Sequence, residues 1–303
     1  MDENDNATVR FADGFVFNKN MVLIASQLVA LEDYDHSRIF NYKDGQWKKF
    51  DLDMVVWSIC GVETPARALF SMSRDGQIDV SSGGSHKIEN VRDAGVGPGK
   101  LGYVNQIAGI AGQLYVCGGS GQIYRRDSKG WEHFDQGVLD KRGDPDAIDL
   151  LSISGTSGKD IYSVGKHGLI FHYDGKSWHR SDSPAPYNLY SVRCLSPAEV
   201  YICGDSGAFF KGYGNRWENY SRPDLNEEFS AVEIFQDVPY LAAPSGLYKF
   251  NGQKIEKVST KLNPAPDGFR LHANDGVLWS FGTDHLCYFD GKKWTYVKHP
   301  DNP

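Results

Sequence analysis

The chain has 303 residues, 40% hydrophobic and 13% aromatic, and its 32 Lys and Arg against 39 Asp and Glu leave a net charge of −7. That aromatic content excludes an intrinsically disordered chain, no apolar run reaches the ~18 residues of a membrane helix, and the acidic balance argues against nucleic-acid binding, which wants a basic footprint. The opening MDENDNATVR lacks the layout of a signal peptide, and cysteines at 60, 117, 194, 203 and 287 show neither CxxC nor zinc spacing, so free thiols and a cytoplasmic location are expected.

Residues 7–27 are expected to supply the two inner strands of a first unit, completed by LVALEDYDHSRIFNYKDGQW (28–47). MVVWSICG (54–61) opens a second unit that runs on through LFSMSRDGQIDVSSGGSHKI (69–88), and GYVNQIAG (102–109) a third through LYVCGGSGQIYRRDSKGW (114–131). DLLSISG (149–155) leads into IYSVGKHGLIFHYDGKSW (161–178), and NLYSVRCL (188–195) into VYICGDSGAFFKGYGNRW (200–217). FSAVEIF (229–235) precedes YLAAPSGLYKFNGQKI (240–255), and FRLHAND (269–275) precedes LWSFGTDHLCYFDGKKW (278–294). Every unit thus offers four short strands, A to D, marked by period-2 alternation, β-branched and aromatic residues, and Gly, Asp or Asn turns. Asp-Gly at 44–45, 174–175 and 290–291 and Asn-Gly at 251–252 suit a tight hairpin between strands C and D, because Gly accepts positive φ. No segment carries a sustained helical period.

One slot recurs in all units: Trp47, Ile88, Trp131, Trp178, Trp217, Ile255 and Trp294, at intervals of 41, 43, 47, 39, 38 and 39 residues, inside the range of propeller blades. Three residues later stand Phe50, Val91, Phe134, Tyr220, Val258 and Val297, with Ser181 the exception. A lone four-stranded sheet cannot bury both faces, whereas radial stacking buries each sheet between two neighbours. The expected fold is therefore all-β, a seven-bladed β-propeller of four-stranded antiparallel blades. It forms a single domain over 1–303, with blades at about 7–53, 54–92, 101–136, 148–183, 188–222, 228–260 and 268–299. Ring closure has two solutions: residues 6–17 complete the first blade, or they add an outer strand beside the last.

The repeat, clearest at 161–178, resembles bacterial WD40/YVTN/BNR-like β-propeller repeats over residues 20–300. The chain lacks the Gly-His and Trp-Asp dipeptides of WD40 proper, the regular Gly-Gly doublet of kelch apart from Gly118-Gly119, and the full sialidase box, which Ser73-Arg74-Asp75-Gly76 begins and then loses. The resemblance implies the fold and leaves the function to be argued from the site.

Each slot Trp is expected to begin the outer strand and to pack against the next blade instead of binding sugar. Cys117 and Cys203 share the position of Val164 and read as small buried hydrophobes, while Cys194 and Cys203 fall on adjacent strands where they could face each other. His167 and His172 diverge, so neither a metal nor a cofactor is expected. GGSG (118–121) and GIAG (109–112) precede strands, not helices, and read as turns instead of phosphate cradles. The inner strands carry Arg193, Glu233 and Arg270 as their main charges, too sparse for a nucleophile and base, so no catalytic residue and no enzyme activity are expected.

The remaining signal is the long, mutually dissimilar connectors from strand D to the next strand A: 92–103, 135–150, 181–190, 220–229 and 259–269. By propeller geometry they share one face with the B–C turns. Acidic groups interleaved with aromatics suit a protein interface, since aromatics anchor and charge steers. The expected partner-binding residues are Trp57, Tyr103, Asp140, Asp144, Asp146, Asp149, Tyr187, Tyr190, Arg193, Asp224, Glu227, Glu228, Phe229 and Arg270. The expected function is a non-catalytic protein-binding propeller that caps a basic effector or toxin, as an immunity protein does. It would be a monomer on its own, with no nucleic acid or membrane partner. The alternatives are a propeller lectin with one sugar pocket per repeat, and a propeller glycoside hydrolase with converging carboxylates in the channel.

Overall fold

The second strands of the central units, read as LYVCG, IYSVG and VYICG, are apolar at nearly every position, and a strand of that kind must be covered on both faces. The computed structural model, which describes residues 8–140 and 147–302, covers them by stacking blades. Among the described residues, 28 strands form seven sheets, each of four consecutive strands paired antiparallel. The sheets span 9–52, 58–90, 104–133, 150–181, 189–219, 231–257 and 270–296, here blades 1 to 7. Helix is limited to four short 3-10 turns, and no helix is long and apolar enough to cross a membrane.

Seven separate hydrophobic clusters sit one at each blade junction. The first joins blade 7 to blade 1 through Trp279, Phe281, Val16, Ile24 and Phe40. Another joins blades 3 and 4 through Tyr115, Cys117, Ile153 and Trp178. The other five junctions are filled in the same way. The core is therefore a ring of wedges, and every blade depends on two neighbours.

The glycines of the CGGSG, VGKHG and CGDSG segments explain themselves at the B–C turn. A Cβ on Gly165 would lie 1.9 Å from the Asp149 carbonyl oxygen, and one on Gly204 1.9 Å from that of Asn188. The chain entering strand A passes directly over this glycine, and Lys166 and Asp205 donate their backbone N–H groups to those same carbonyls at 3.0 Å. These segments are turns, as expected, and all four Asp-Gly or Asn-Gly pairs sit in C–D hairpins.

The slot residues do wedge between blades, but against the preceding blade, not the next. The Trp178 indole N–H donates to the Phe134 carbonyl (2.7 Å), that of Trp217 to Ser181 Oγ (2.9 Å), and that of Trp47 to the Lys298 carbonyl (3.1 Å). Each acceptor belongs to the blade before. Ser181, the exception in the sequence pattern, is thus the acceptor for the next blade's indole. Ile88 does not wedge at all: it is 49% exposed. The C–D hairpin of blade 2 is longer, with six residues in strand D against four in blades 3 to 5. His86, two residues away and so on the same face of that strand, packs edge-on against Phe50 of blade 1 instead.

Ring closure follows the first of the two expected routes. Val9–Asn18 is strand A of blade 1, so no strand is shared between the ends. The C-terminal tail clasps blade 1 from blade 7. Val9 N–H donates to Asn302 Oδ1 (3.0 Å), Asn302 Nδ2 donates to the Val9 carbonyl (2.8 Å), and buried Asp301 lies 3.4 Å from Arg38. His299 fills the space between Phe11, Phe40 and Trp47. All five cysteines are free, and Cys194 and Cys203 do not face each other: Cys194 pairs with Val200, and Cys203 with Ser191.

Candidate partner-binding face and central channel

All seven A strands line a central channel that holds a cavity of about 260 Å³. Their polar side chains are spent on the neighbouring blade. Asp13 Oδ2 accepts from Ile59 N–H (2.8 Å), Ser58 Oγ from Ile107 N–H (3.4 Å), and Gln106 Oε1 from Ile153 N–H (2.7 Å). Around the ring, Ser152 Oγ accepts from Val192 N–H (3.2 Å), Ser191 Oγ from Val232 N–H (3.2 Å), and His272 Nδ1 from Val16 N–H (3.2 Å). Six of the seven junctions are therefore stitched by one blade's side chain to the next blade's backbone. Neighbouring A strands converge on the axis without pairing as a sheet, so their inward N–H groups need such partners.

This girdle accounts for the channel's carboxylates. Burial pushes the Asp13 carboxyl up, while Arg270 and the N–H groups of Ile59 and Gly14 pull it down. Glu233 is held by Arg193 at 3.1 and 2.7 Å and also accepts from Ile234 N–H (2.9 Å). His272 is pushed down to about 3 by burial and by the Arg193 charge, which keeps it neutral and fit to accept from Val16. Both carboxylates thus have structural duties.

The D–A connectors, the B–C turns and the starts of the A strands form one face of the ring. Trp57 and Tyr103, from two different connectors, are brought together by Arg74, whose guanidinium carbon lies 4.8 Å from one ring centroid and 4.5 Å from the other. Tyr103 is exposed. Tyr190 lies on the channel rim, where burial and the Asp205 and Glu228 charges raise its pKa. Asp224 and Glu228 are exposed, and Arg222 grips Asp224 at 2.8 and 2.6 Å. Glu227 bonds to Ser245 Oγ and to Tyr248 OH (2.9 Å). Asp140 stays partly accessible at the edge of its connector, whereas Asp144 and Asp146 lie outside the described residues.

Three residues of the expected set serve the scaffold. Phe229 is completely buried and packs edge-on against Tyr248 in the junction of blades 5 and 6. Asp149 is buried, accepts from Asn105 Nδ2 (2.7 Å) and pairs with Lys166 (2.9 Å). Tyr187 packs beneath its connector against the junction of blades 4 and 5. An aromatic or acidic residue at the foot of a connector is consumed by the turn it anchors.

Sequence reasoning also missed features. The B–C turn of blade 1 puts exposed Glu32, Asp33, Tyr34 and Asp35 on the same face, with Tyr34 67% exposed. The run LEDYD was the available signal, since an exposed Tyr between acids has no packing role. Arg74 offered none, because only the fold places it between two rings. The opposite face differs in sign: Lys129, Lys159, Lys176, Lys254, Lys292 and Lys293 are exposed at its A–B and C–D turns.

Comparison with known proteins agrees with this architecture. The chain is 29% identical over 293 residues, 94% of its own length and 95% of the relative's, to the immune protein Tsi7 of Pseudomonas aeruginosa. Among solved structures it is similar in fold to YCF48 from Cyanidioschyzon merolae (TM-score 0.69, 10% identity, 98% and 97% of the two chains covered). It is also similar to the WD40 β-propeller domain of Doa1 (TM-score 0.68, 11%, 95% and 96%) and to YCF48 bound to D1 peptide (TM-score 0.67, 14%, 97% and 93%). No family model matches the chain. The fold is that of the seven-bladed WD40 and YCF48-type propellers, and its sequence relative is an immune protein.

Proposed function

We propose that this protein is a non-catalytic binding propeller that neutralises a protein effector by covering it with the face formed by the D–A connectors and B–C turns. Kinship with an immune protein along nearly the whole chain supports the role, and a propeller solved with a bound peptide shows that such a ring can serve as a docking platform. The observation that carries the choice of face is its chemistry: Tyr34, Tyr103 and the Trp57–Arg74–Tyr103 stack stand among exposed Asp33, Asp35, Asp224 and Glu228. Aromatics of this kind anchor interfaces, and like-signed charges raise the rate of encounter with an oppositely charged partner. The partner is therefore a basic protein, bound by a cytoplasmic monomer. The repeat units are kin to the bacterial WD40/YVTN/BNR-like class.

Purification of the tagged protein from its native host, followed by titration calorimetry with the recovered partner, tests this reading. Tyr34→Ala and Tyr103→Ala should each weaken binding by about 1–3 kcal/mol, and the association rate should fall steeply with added salt. Full affinity in the double variant would refute the choice of face.

A further inference from the structure

Arg270 stands first in strand A of blade 7, at the mouth of the channel on the proposed partner face. Its guanidinium borders both the channel cavity and a neighbouring pocket of about 210 Å³ that also touches Arg10, Trp57 and Phe269. Among the described residues, no carboxylate lies within 4.0 Å of it and no acceptor within hydrogen-bonding distance. Its one recorded contact is with the Phe269 ring, 4.5 Å from guanidinium carbon to centroid. The two channel carboxylates that could have served it are engaged, Asp13 by Ser58, Ile59 and Gly14, and Glu233 by Arg193 and Ile234. Burial works against its charge, which Asp13 supports only at longer range. Five N–H donors in a fixed planar fork thus face a cavity without a protein acceptor.

We propose that Arg270 anchors a carboxylate-binding pocket at the mouth of the central channel, and that a carboxylate of the bound protein enters it. A guanidinium fork matches a carboxylate with two parallel hydrogen bonds. Phosphate shares that geometry, but the channel's charges already balance, with Asp13 and Glu233 against Arg193 and Arg270. A monoanion leaves one net negative charge there, and phosphate leaves nearly two. The proposal rests on the partner face described above, yet its first test needs no partner.

Thermal unfolding at pH 7 in 100 mM sodium acetate is compared with 100 mM sodium chloride and with sodium phosphate of equal ionic strength. With a dissociation constant on the order of 10 mM, acetate raises the wild-type Tm by about 2–4 °C over chloride, phosphate raises it less, and Arg270→Gln abolishes the difference. Arg270→Lys, which keeps the charge without the fork, retains only part of it. An acetate shift equal in wild type and Arg270→Gln overturns the pocket. In chloride, Arg270→Gln should melt no lower than wild type, because no protein contact is lost; a clear drop would make Arg270 structural and overturn the proposal. In the second arm, Arg270→Gln weakens partner binding at least tenfold and acetate competes with the partner. If acetate shifts only the wild type while Arg270→Gln binds the partner unchanged, the pocket serves a free small carboxylate, which overturns the partner half. The face itself is judged separately, by Tyr34→Ala and Tyr103→Ala.

Discussion

The clasp that closes the ring is open to a single-residue test, Asn302→Ala. The Asn302 side chain makes a reciprocal pair with the backbone of Val9, accepting from its N–H at 3.0 Å and donating to its carbonyl at 2.8 Å. Val9 is fully buried, so truncation strands a backbone donor, at a cost of about 1–3 kcal/mol, and removes a second bond with a net value of about 1 kcal/mol. The expected loss is about 2–4 kcal/mol. For a chain of this size each kcal/mol moves Tm by roughly 2 °C or somewhat more, which gives a fall of about 4–10 °C by scanning calorimetry. Amide exchange at Val9 and along strand A of blade 1 should rise first, because local opening begins where the ring is held by the fewest contacts. A Tm within about 1 °C of wild type, with exchange in that strand unchanged, would refute the clasp and the magnitude reasoned from it.

Other perturbations address the scaffold. Gly165→Ala forces a methyl group against the Asp149 carbonyl oxygen, 1.9 Å from the ideal Cβ, and should cost about 1–3 kcal/mol or more in denaturant unfolding, whereas Gly112→Ala, which meets no neighbour, should cost less. Acid should weaken the protein before its carboxylates titrate. Burial holds His272 at about 3 and His299 at about 4, so their neutral forms belong to the fold. Their contribution is whole above the ordinary value of 6.5 and falls as pH drops toward those figures, by up to about 1.4 kcal/mol per unit for each. The raised carboxyl of Asp13 acts in the opposite sense and offsets part of the loss. Unfolding curves between pH 7 and 5 should show His299→Gln less acid-sensitive than wild type; equal sensitivity would contradict the assignment.

The architecture was legible because stacking imposes the same demands on every blade. An apolar B strand, a glycine under the incoming chain and a bulky residue opening strand D recur wherever the packing recurs, and the Trp slot exposed that period directly. Where one blade meets the demand differently, the sequence misleads: the longer hairpin of blade 2 hands the wedge from Ile88 to His86. The direction of the wedge was not readable either, since spacing carries no information about which neighbour an indole meets. The partner face was legible as a location, because packing does not require long dissimilar connectors. Its working residues were less so. Phe229, Asp149 and Tyr187 looked like surface groups and are anchors, whereas Arg74 and Asp13 acquire meaning only through residues distant in sequence. Tyr34 was visible in its acidic run.

The central claim is that the acidic, aromatic face of the ring captures a protein effector. Hydrogen–deuterium exchange on the purified complex tests it most directly. The account predicts slowed exchange at 29–36, 91–103 and 220–230, with the lysine-bearing turns at 128–129, 158–159 and 251–254 unaltered. Protection confined to those lysine turns, or failure of any protein effector from the native host to form a stable complex, would contradict it.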